Sequence, residues 1–439
     1  MNISDADKAF IKGSFTTLKE PKIGGTPAQR LPAVIDTVSR MLTDIEHNGM
    51  DAVLRYSAEL DGWAGKDIEI SQEDLAKTGD ELSPALREAL AAGAERTRRF
   101  AEAQRSHLTD FETELIPGVI TGQKYIPVPR VGAYLPAGNF PILASAFMTV
   151  GVAKAAGVPT VVATTPPVSP TAGHPAVLYA AYLSGVDRAF AVGGVQALAA
   201  MTFGLLGDQP VDILVGAGNA YVTEAKRQLF GRVGIDLLAG PSEVAVIADE
   251  TADPELVAAD LLGQAEHGLQ SPASLVTTSR ELGLAVIAQA DKQIAALATR
   301  DIAGPAWYDY GTVYLAENRE TAVELMDLLA PEHLEILTAD DDYYHQRLTN
   351  YGSIFLGQWS TVAYSDKGIT GTNHVLPTAG GARSSAGLSV SRFLKPLTFQ
   401  RVSKQATPLL ANYVEAISDF EGMAAHKATA TLRLDRFAR

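Results

Sequence analysis

Not one of the 439 residues is a cysteine. That excludes disulfides, thiolate metal ligands and a cysteine nucleophile. Basic residues are also scarce: 36 Lys and Arg stand against 51 Asp and Glu, for a formal charge of −15. Such a balance speaks against nucleic acid or an anionic membrane as the main partner. The most apolar segment, residues 140–165, is interrupted by Lys154, several glycines and Pro159, so it does not read as a membrane span. The N-terminal MNISDADKAFIKGSF lacks the apolar stretch of a signal peptide, and the expectation is a cytoplasmic protein. Nucleotide fingerprints are missing too. GAGNAY (Gly216 to Tyr221) lacks the third glycine of G-x-G-x-x-G, and no Walker A sequence occurs.

What is present reads as an α/β protein large enough for two or three domains. The first 110 or so residues carry apolar positions at three- and four-residue spacing, as in AVIDTVSRMLTDIEHNG, and predict helices. Ser83-Pro84 is a cap followed by a first-turn proline. From Tyr134 onward, short apolar runs such as TVVATT, RAFAV, VDILV, EVAVIA, ASLVTT and HLEIL alternate with amphipathic stretches. That alternation predicts βαβ units with parallel sheet, divided between two α/β domains. After GSIFLG the regularity stops, and YSDKGITGTNHVLPTAGGARSSAGLSV reads as a long irregular loop of the kind that is functional or disordered. From about Phe393 the tail is expected to return to helix.

Four of the eight histidines, His47, His107, His174 and His345, sit in polar surroundings without a partner pattern and read as surface or structural residues. In LLGQAEHG, Gln264 and His267 lie three apart on a helix, a spacing that presents two ligands together. The segment alone favours a blander reading, a histidine at the negative end of the helix dipole with Gly268 as the C′ residue. APEHLEI sets Glu332 and His333 before a strand, an adjacent carboxyl and imidazole suited to acid–base work or simply a solvated loop pair. Asp366 and His374 in the irregular loop, and Glu421 and His426 in EGMAAH, are weak pairs taken singly. The last two converge only where the helix ends between them.

Together, AGPSEVAVIADETADPELVAADLLGQAEHG, PEHLEI, GTNHVLPTAGGARSSAGLSV and EGMAAHKATATLRL resemble the histidinol dehydrogenase family, over nearly the whole chain from about Leu31. The resemblance implies two incomplete Rossmann-like α/β domains with parallel sheets, plus helical N-terminal and C-terminal extensions. Residues 26–131 and 240–390 would form the domain with the zinc and catalytic site. Residues 132–239 would bind NAD, 1–25 are an extension and 391–439 a helical tail. It further implies an enzyme using Zn²⁺ and two NAD⁺ to oxidise a small primary alcohol through an aldehyde to a carboxylate. Its zinc ligands fall on Gln264, His267, Asp366 and His426, and its acid–base pair on Glu332 and His333. Substrate-contacting positions fall on Ser242, His374 and Glu421, and NAD positions on Tyr134, Gln196 and Asn219. A homodimer is implied, with the C-terminal segment reaching the partner's site.

Oxygen and nitrogen ligands suit a Lewis-acid metal. The missing cysteine agrees as well, since a thiohemiacetal is impossible and the aldehyde must be attacked by water. Glu332 is the candidate to activate that water, and His333 to take the alcohol proton. L-Histidinol, oxidised to L-histidine, is the first expectation for substrate. The family's YVPGG followed by TAPLPST reads YLPAGNFPILAS here, its GDY reads SDK, its GPGN reads GAGN, and the loop from Asp366 to His374 is one residue longer. These forms are similar to a paralogous branch that includes sulfopropanediol dehydrogenase, which acts on 2,3-dihydroxypropane-1-sulfonate. An inactive binding protein on the same fold predicts loss of site residues, yet Gln264, His267, Glu332, His333, Asp366 and His426 all keep suitable chemistry.

Overall fold

The structure, a computed structural model, describes residues 8, 10–23, 31–65, 67–137, 140–170, 172–207 and 209–437. The boundary expected at residues 25 and 26 lies outside the described residues, as do Gly138 and Asn139 of the altered YLPAGNFPILAS segment. Two six-stranded sheets dominate. The first comprises β1 (Phe15–Lys19), β12 (Val244–Ala248), β13 (Ala273–Thr277), β14 (Thr312–Ala316), β15 (His333–Leu337) and β16 (Ser353–Leu356). Their order is β1-β14-β13-β12-β15-β16, parallel except for β1.

The second sheet comprises β2 (Glu69–Ile70), β5 (Arg130–Tyr134), β6 (Thr160–Thr165), β9 (Arg188–Ala191), β10 (Ile213–Val215) and β11 (Gly234–Ile235). Its order is β11-β10-β5-β6-β9-β2, with only β2 antiparallel. A smaller antiparallel sheet joins β3 (Phe111–Ile116), β4 (Val119–Pro127) and β17 (Leu394–Val402), and β7 (Pro167–Ser169) pairs with β8 (Ala172–Gly173).

Strands β12, β13 and β15 are buried at every position because helices cover both faces of the sheet. The two-residue alternation sorts their side chains. Val244 and Val246 pack with Leu261 and Leu262 of the helix Pro254–Ala265, while Ala245 and Ile247 pack with Leu325 and Met326 of the helix Arg319–Leu329. The helix Pro32–Asp61 packs with Gly194–Phe203 and Ala220–Leu229 on one face of the second sheet, and Pro84–Ser106 packs on the other. The N-terminal helices thus cover the second sheet, whereas the sequence grouped residues 26–131 with the first.

Two further expectations change. The N-terminal extension supplies an edge strand, β1, in place of helix, and the tail opens with the nine-residue strand β17 before the helices Thr407–Glu421 and Ala424–Phe437. Among the described residues no helix is long and apolar enough to cross a membrane. In each sheet the strand order reverses once, between β12 and β15 in the first and between β5 and β10 in the second. The second of these switch points opens at the carboxyl ends of its strands, where ligands of open α/β sheets gather, whereas the cluster described next sits at the amino ends of β12 and β15.

Candidate active site

Glu332 precedes β15 and His333 opens it, beside the amino end of β12, with Val244 and His333 in register. A helix joining two parallel strands runs back against them, so the helix Pro254–Ala265 ends at this same edge of the sheet. It delivers Gln264 in its last turn and His267 just beyond. The helix stops sooner than the dipole reading assumed, with Glu266 as cap, and Gly268 has no positive φ. A third element, the short helix Val362–Asp366 within the irregular loop, ends on Asp366. His374 follows eight residues later and is held by its neighbour, because the Asn373 amide donates to the Met148 carbonyl at 2.9 Å.

Buried Asp366 is the hub. Its Oδ2 lies 3.4 Å from His267 Nε2, and its Oδ1 lies 3.6 Å from His333 Nε2 and 3.7 Å from His374 Nδ1. Burial opposes its ionisation, but the imidazoles of His267, His374 and His333 outweigh that and hold the carboxyl below the usual range. His374 is pulled down from its ordinary value, mainly by burial. These separations exceed an ordinary hydrogen bond. They are close to the ~3.3 Å between two ligands of a tetrahedral ion with ~2.0 Å bonds. Three buried polar atoms in the cluster, Gln264 Nε2, His333 Nε2 and His374 Nδ1, have no hydrogen-bond partner. With an amide flip Gln264 would offer a carbonyl oxygen beside His267 Nε2 and Asp366 Oδ2, so these three fit a small cation, and the His333 and His374 nitrogens remain for other partners. Among the described residues no three His, Asp or Glu side chains form a complete metal nest, so within one chain this is a partial site.

Burial tunes Glu332 and His333. His333 is pulled down to about 4 by desolvation, against the pull of Asp366, so its imidazole is neutral. Its Nδ1 sits 3.0 Å from the Glu243 carbonyl, which fixes the proton there and leaves Nε2 as the basic lone pair facing Asp366. Glu332 is pushed well above its ordinary value by burial, with the charges of Glu243 and Asp366 adding to the effect and a hydrogen bond from Ser242 opposing it.

Glu243 is the residue the sequence did not single out. Glu243 and Glu332 clasp one another: the Glu243 N–H donates to Glu332 Oε2 at 2.9 Å, and the Glu332 N–H donates to Glu243 Oε1 at 3.3 Å. Burial pushes the Glu243 carboxyl up to about 7. The signal was an acidic residue set directly before an apolar strand, where a carboxylate would ordinarily be solvated. Backbone strain gathers here too. Ala330 (φ 47°) and Ala379 (φ 53°) are the non-glycine residues with positive φ among those described. One lies two residues before Glu332, and the other donates its N–H to Glu243 at 3.1 Å.

At the second switch point, Tyr134, Gln196 and Asn219 lie at or beyond the carboxyl ends of the strands. Tyr134 ends β5 and accepts the Gly194 N–H at 3.3 Å, while Gln196 is buried and donates to Asp61 at 2.9 Å. Asn219 caps the helix Ala220–Leu229, accepting from the Tyr221 and Val222 N–H groups. Gly216 turns the chain between these elements with φ 114°, and a Cβ there would lie 2.2 Å from the Tyr134 carbonyl oxygen. The buried pair Lys226–Asp236 grips that turn: Asp236 accepts the Gly216 N–H at 2.7 Å, and Lys226 donates to the Gly216 carbonyl at 3.0 Å. Strand-end location and a capped helix N-terminus suit a dinucleotide phosphate without the full glycine fingerprint.

Glu421 and His426 stand apart from the cluster. Glu421 ends one tail helix at Gly422 and His426 lies in the first turn of the next, so the helix does break between them. Both are exposed, and the surrounding tail also exposes Tyr413, Ile417, Phe420 and Met423.

A family model described as histidinol dehydrogenase matches residues 26–434. The chain is 48% identical over 414 residues to a histidinol dehydrogenase homolog of Ruegeria pomeroyi, covering 94% of this chain and 95% of that one. It is 45% identical over 406 residues to a sulfopropanediol 3-dehydrogenase of the same organism, covering 92% and 93%. The crystal structure of histidinol dehydrogenase from Elizabethkingia anophelis matches with a TM-score of 0.89 at 33% identity, covering 94% of this chain and 95% of that one.

Proposed function

Because the chain belongs to the histidinol dehydrogenase family, we propose that this oxidoreductase takes a small primary alcohol through a bound aldehyde to a carboxylate, with two NAD⁺ as hydride acceptors. The observation that carries the reading is the convergence of Gln264, His267, Glu332, His333 and His374 on the edge where Asp366 is buried. Gln264, His267 and Asp366 are the candidates to hold Zn²⁺, with His426 from the tail of a partner chain as the fourth ligand. Bound there, zinc supplies a Lewis acid that polarises and orients the substrate oxygen. Tyr134, Gln196 and Asn219 are the candidates to hold NAD⁺ across the second switch point.

The chain's own residues divide the proton work. In the first half, the alcohol carbon gives up a hydride and its hydroxyl proton passes to His333 Nε2, the lone pair left free by the Glu243 carbonyl. In the second half, a water attacks the aldehyde and loses its proton to Glu332, and the hydrate carbon gives up the second hydride. The sum is alcohol, water and two NAD⁺ giving carboxylate, two NADH and three protons. The raised pKa makes Glu332 a stronger base than a solvated carboxylate once it is ionised. Ser242 and His374 line the substrate side, and Glu421 would join them with the partner's tail.

For the substrate, an anionic polyol of the 2,3-dihydroxypropane-1-sulfonate type is favoured over L-histidinol, the first expectation. Where the family pattern has tyrosine after the zinc-ligating aspartate, this chain has Lys367, exposed and close enough for its charge to act on His374. A cation there attracts a sulfonate and repels cationic histidinol. The 45% identity to a sulfopropanediol 3-dehydrogenase, against 38% to the histidinol dehydrogenase of Geobacillus kaustophilus, points the same way. The test is NADH formation by zinc-loaded protein offered each alcohol in parallel. Two NADH per sulfonate are expected, with KM for it raised about fivefold in Lys367→Met, the worth of one exposed charge. Turnover of L-histidinol alone would overturn the substrate and keep the reaction; inertness of the alcohol group in both would overturn the reaction.

A further inference from the structure

Behind the metal-side residues lies a second carboxyl cluster that the proton steps do not use. Glu335 is fully buried on β15, and the half-buried Asp260 belongs to the helix Pro254–Ala265. Glu335 Oε1 accepts the Val362 N–H at 2.7 Å, Asp260 Oδ1 accepts the Thr361 hydroxyl at 3.0 Å, and the two carboxyls meet each other. Glu335 Oε2 finds no N–H or O–H donor besides what that meeting provides.

The placement repeats the active site one step deeper on three elements. His333 and Glu335 are two apart on a strand and share a face. Asp260 and Gln264 are four apart on one helix, and Val362 and Asp366 are the first and last residues of another. Each element therefore sends one residue to the metal side and one to the carboxyl cluster. Two carboxyls in contact in a dry setting share one proton as an O–H···O⁻ bond, because two bare carboxylates would repel. We propose that Asp260 and Glu335 are positioning residues: their one-proton bond ties the helix of Gln264 and His267, the strand of His333 and the helix of Asp366 into one register, and so presets the metal half-site.

This inference rests on the reading of Gln264, His267 and Asp366 as zinc ligands. It is tested by zinc affinity, measured by chelator competition, together with thermal unfolding and kinetics, in the full-length protein. Asp260→Ala and Glu335→Leu are expected to weaken zinc binding ten- to a hundredfold, the usual cost of losing an outer-shell partner, and to lower kcat while leaving KM for NAD⁺ unchanged. Asp260→Asn and Glu335→Gln keep the acceptors for Thr361 and Val362 and donate N–H across the pair, so they should recover most of the affinity. Wild-type zinc affinity and kcat in folded Asp260→Ala, with only the unfolding temperature lowered, would overturn the inference. Glu335→Leu failing to fold leaves that half-buried variant to decide. Absence of zinc binding in the unaltered protein would instead overturn the metal reading, and this inference with it.

Discussion

Glu332 and His333 are adjacent in sequence, yet burial drives them to opposite ends of the acid–base scale. Desolvation keeps the imidazole neutral, with Nε2 free to accept a proton, and makes the carboxyl hard to ionise, so that it can act as a base only after its own proton has left. Glu332→Gln should therefore leave the first hydride transfer nearly intact and slow the second by about 10²–10⁴-fold. Single-turnover absorbance would then show one NADH per site in place of two, with the aldehyde retained. Equal slowing of both transfers would remove Glu332 from the water step. The pair was readable from PEHLEI, but Glu243 was not, since sequence records neither its burial nor its clasp with Glu332. Glu243 also gives a pH prediction. Its folded pKa, about 7, lies above its ordinary 4.5, so the folded protein binds the extra proton between those values and loses stability as pH rises through them. Compared with wild type, Glu243→Gln should gain in unfolding temperature as pH climbs from 4.5 to 7 and hold that gain above it. The full swing corresponds to about 3 kcal/mol. A difference that does not change with pH would mean that Glu243 is not the group responsible.

Elements differ in how far the sequence discloses them. Strands β12 and β13 were legible because parallel strands covered on both faces spell near-continuous apolar runs, and β15 through Leu334, Ile336 and Leu337 despite His333 and Glu335. Strand β17 was not, because LKPLTFQRV is exposed at nearly every position in the single chain and carries no burial pattern. The turn at Gly216 lies between these extremes. GAGN follows a strand but lacks the full glycine fingerprint, Asn219 entered through the resemblance alone, and the residues that hold the turn come 10 and 20 positions after Gly216, Lys226 on a helix and Asp236 after β11. Removing Lys226 leaves Asp236 as a buried, unpaired carboxylate at a cost of roughly 3–5 kcal/mol. Lys226→Met should therefore lower the unfolding temperature and, under conditions where the protein remains folded, raise KM for NAD⁺ far more than it lowers kcat for either alcohol. Gly216→Ala tests the same turn without touching charge. Its new methyl would collide with the Tyr134 carbonyl, so it should weaken NAD⁺ binding and leave zinc affinity unchanged. Loss of zinc in that variant would mean that the two sheets' sites are not separable.

At the scale of the whole molecule, the buried cluster and the exposed tail stand apart within the single chain. The Asp366 cluster gathers three imidazoles around one carboxylate near Gln264 without closing a metal nest among the described residues, while Glu421 and His426 lie exposed on the tail helices, as does Phe420, 97% exposed. Tyr413, Ile417 and Met423 add exposed apolar side chains there, and β17 and the two tail helices are exposed at most of their described positions. The sequence named Glu421 and His426 through resemblance alone, because five-residue spacing says nothing about which chain's site they complete. If the tail closes the site of a two-fold partner, then Glu332→Gln and His426→Ala, each crippled alone, should complement one another when co-expressed. In a mixed dimer one site collects both defects and the other collects neither. Random pairing makes half the dimers mixed, each with one sound site, so specific activity should return to roughly a quarter of wild type. Were the tail to act on its own chain, every site in every dimer would carry one defect and the mixture would be no more active than its parents.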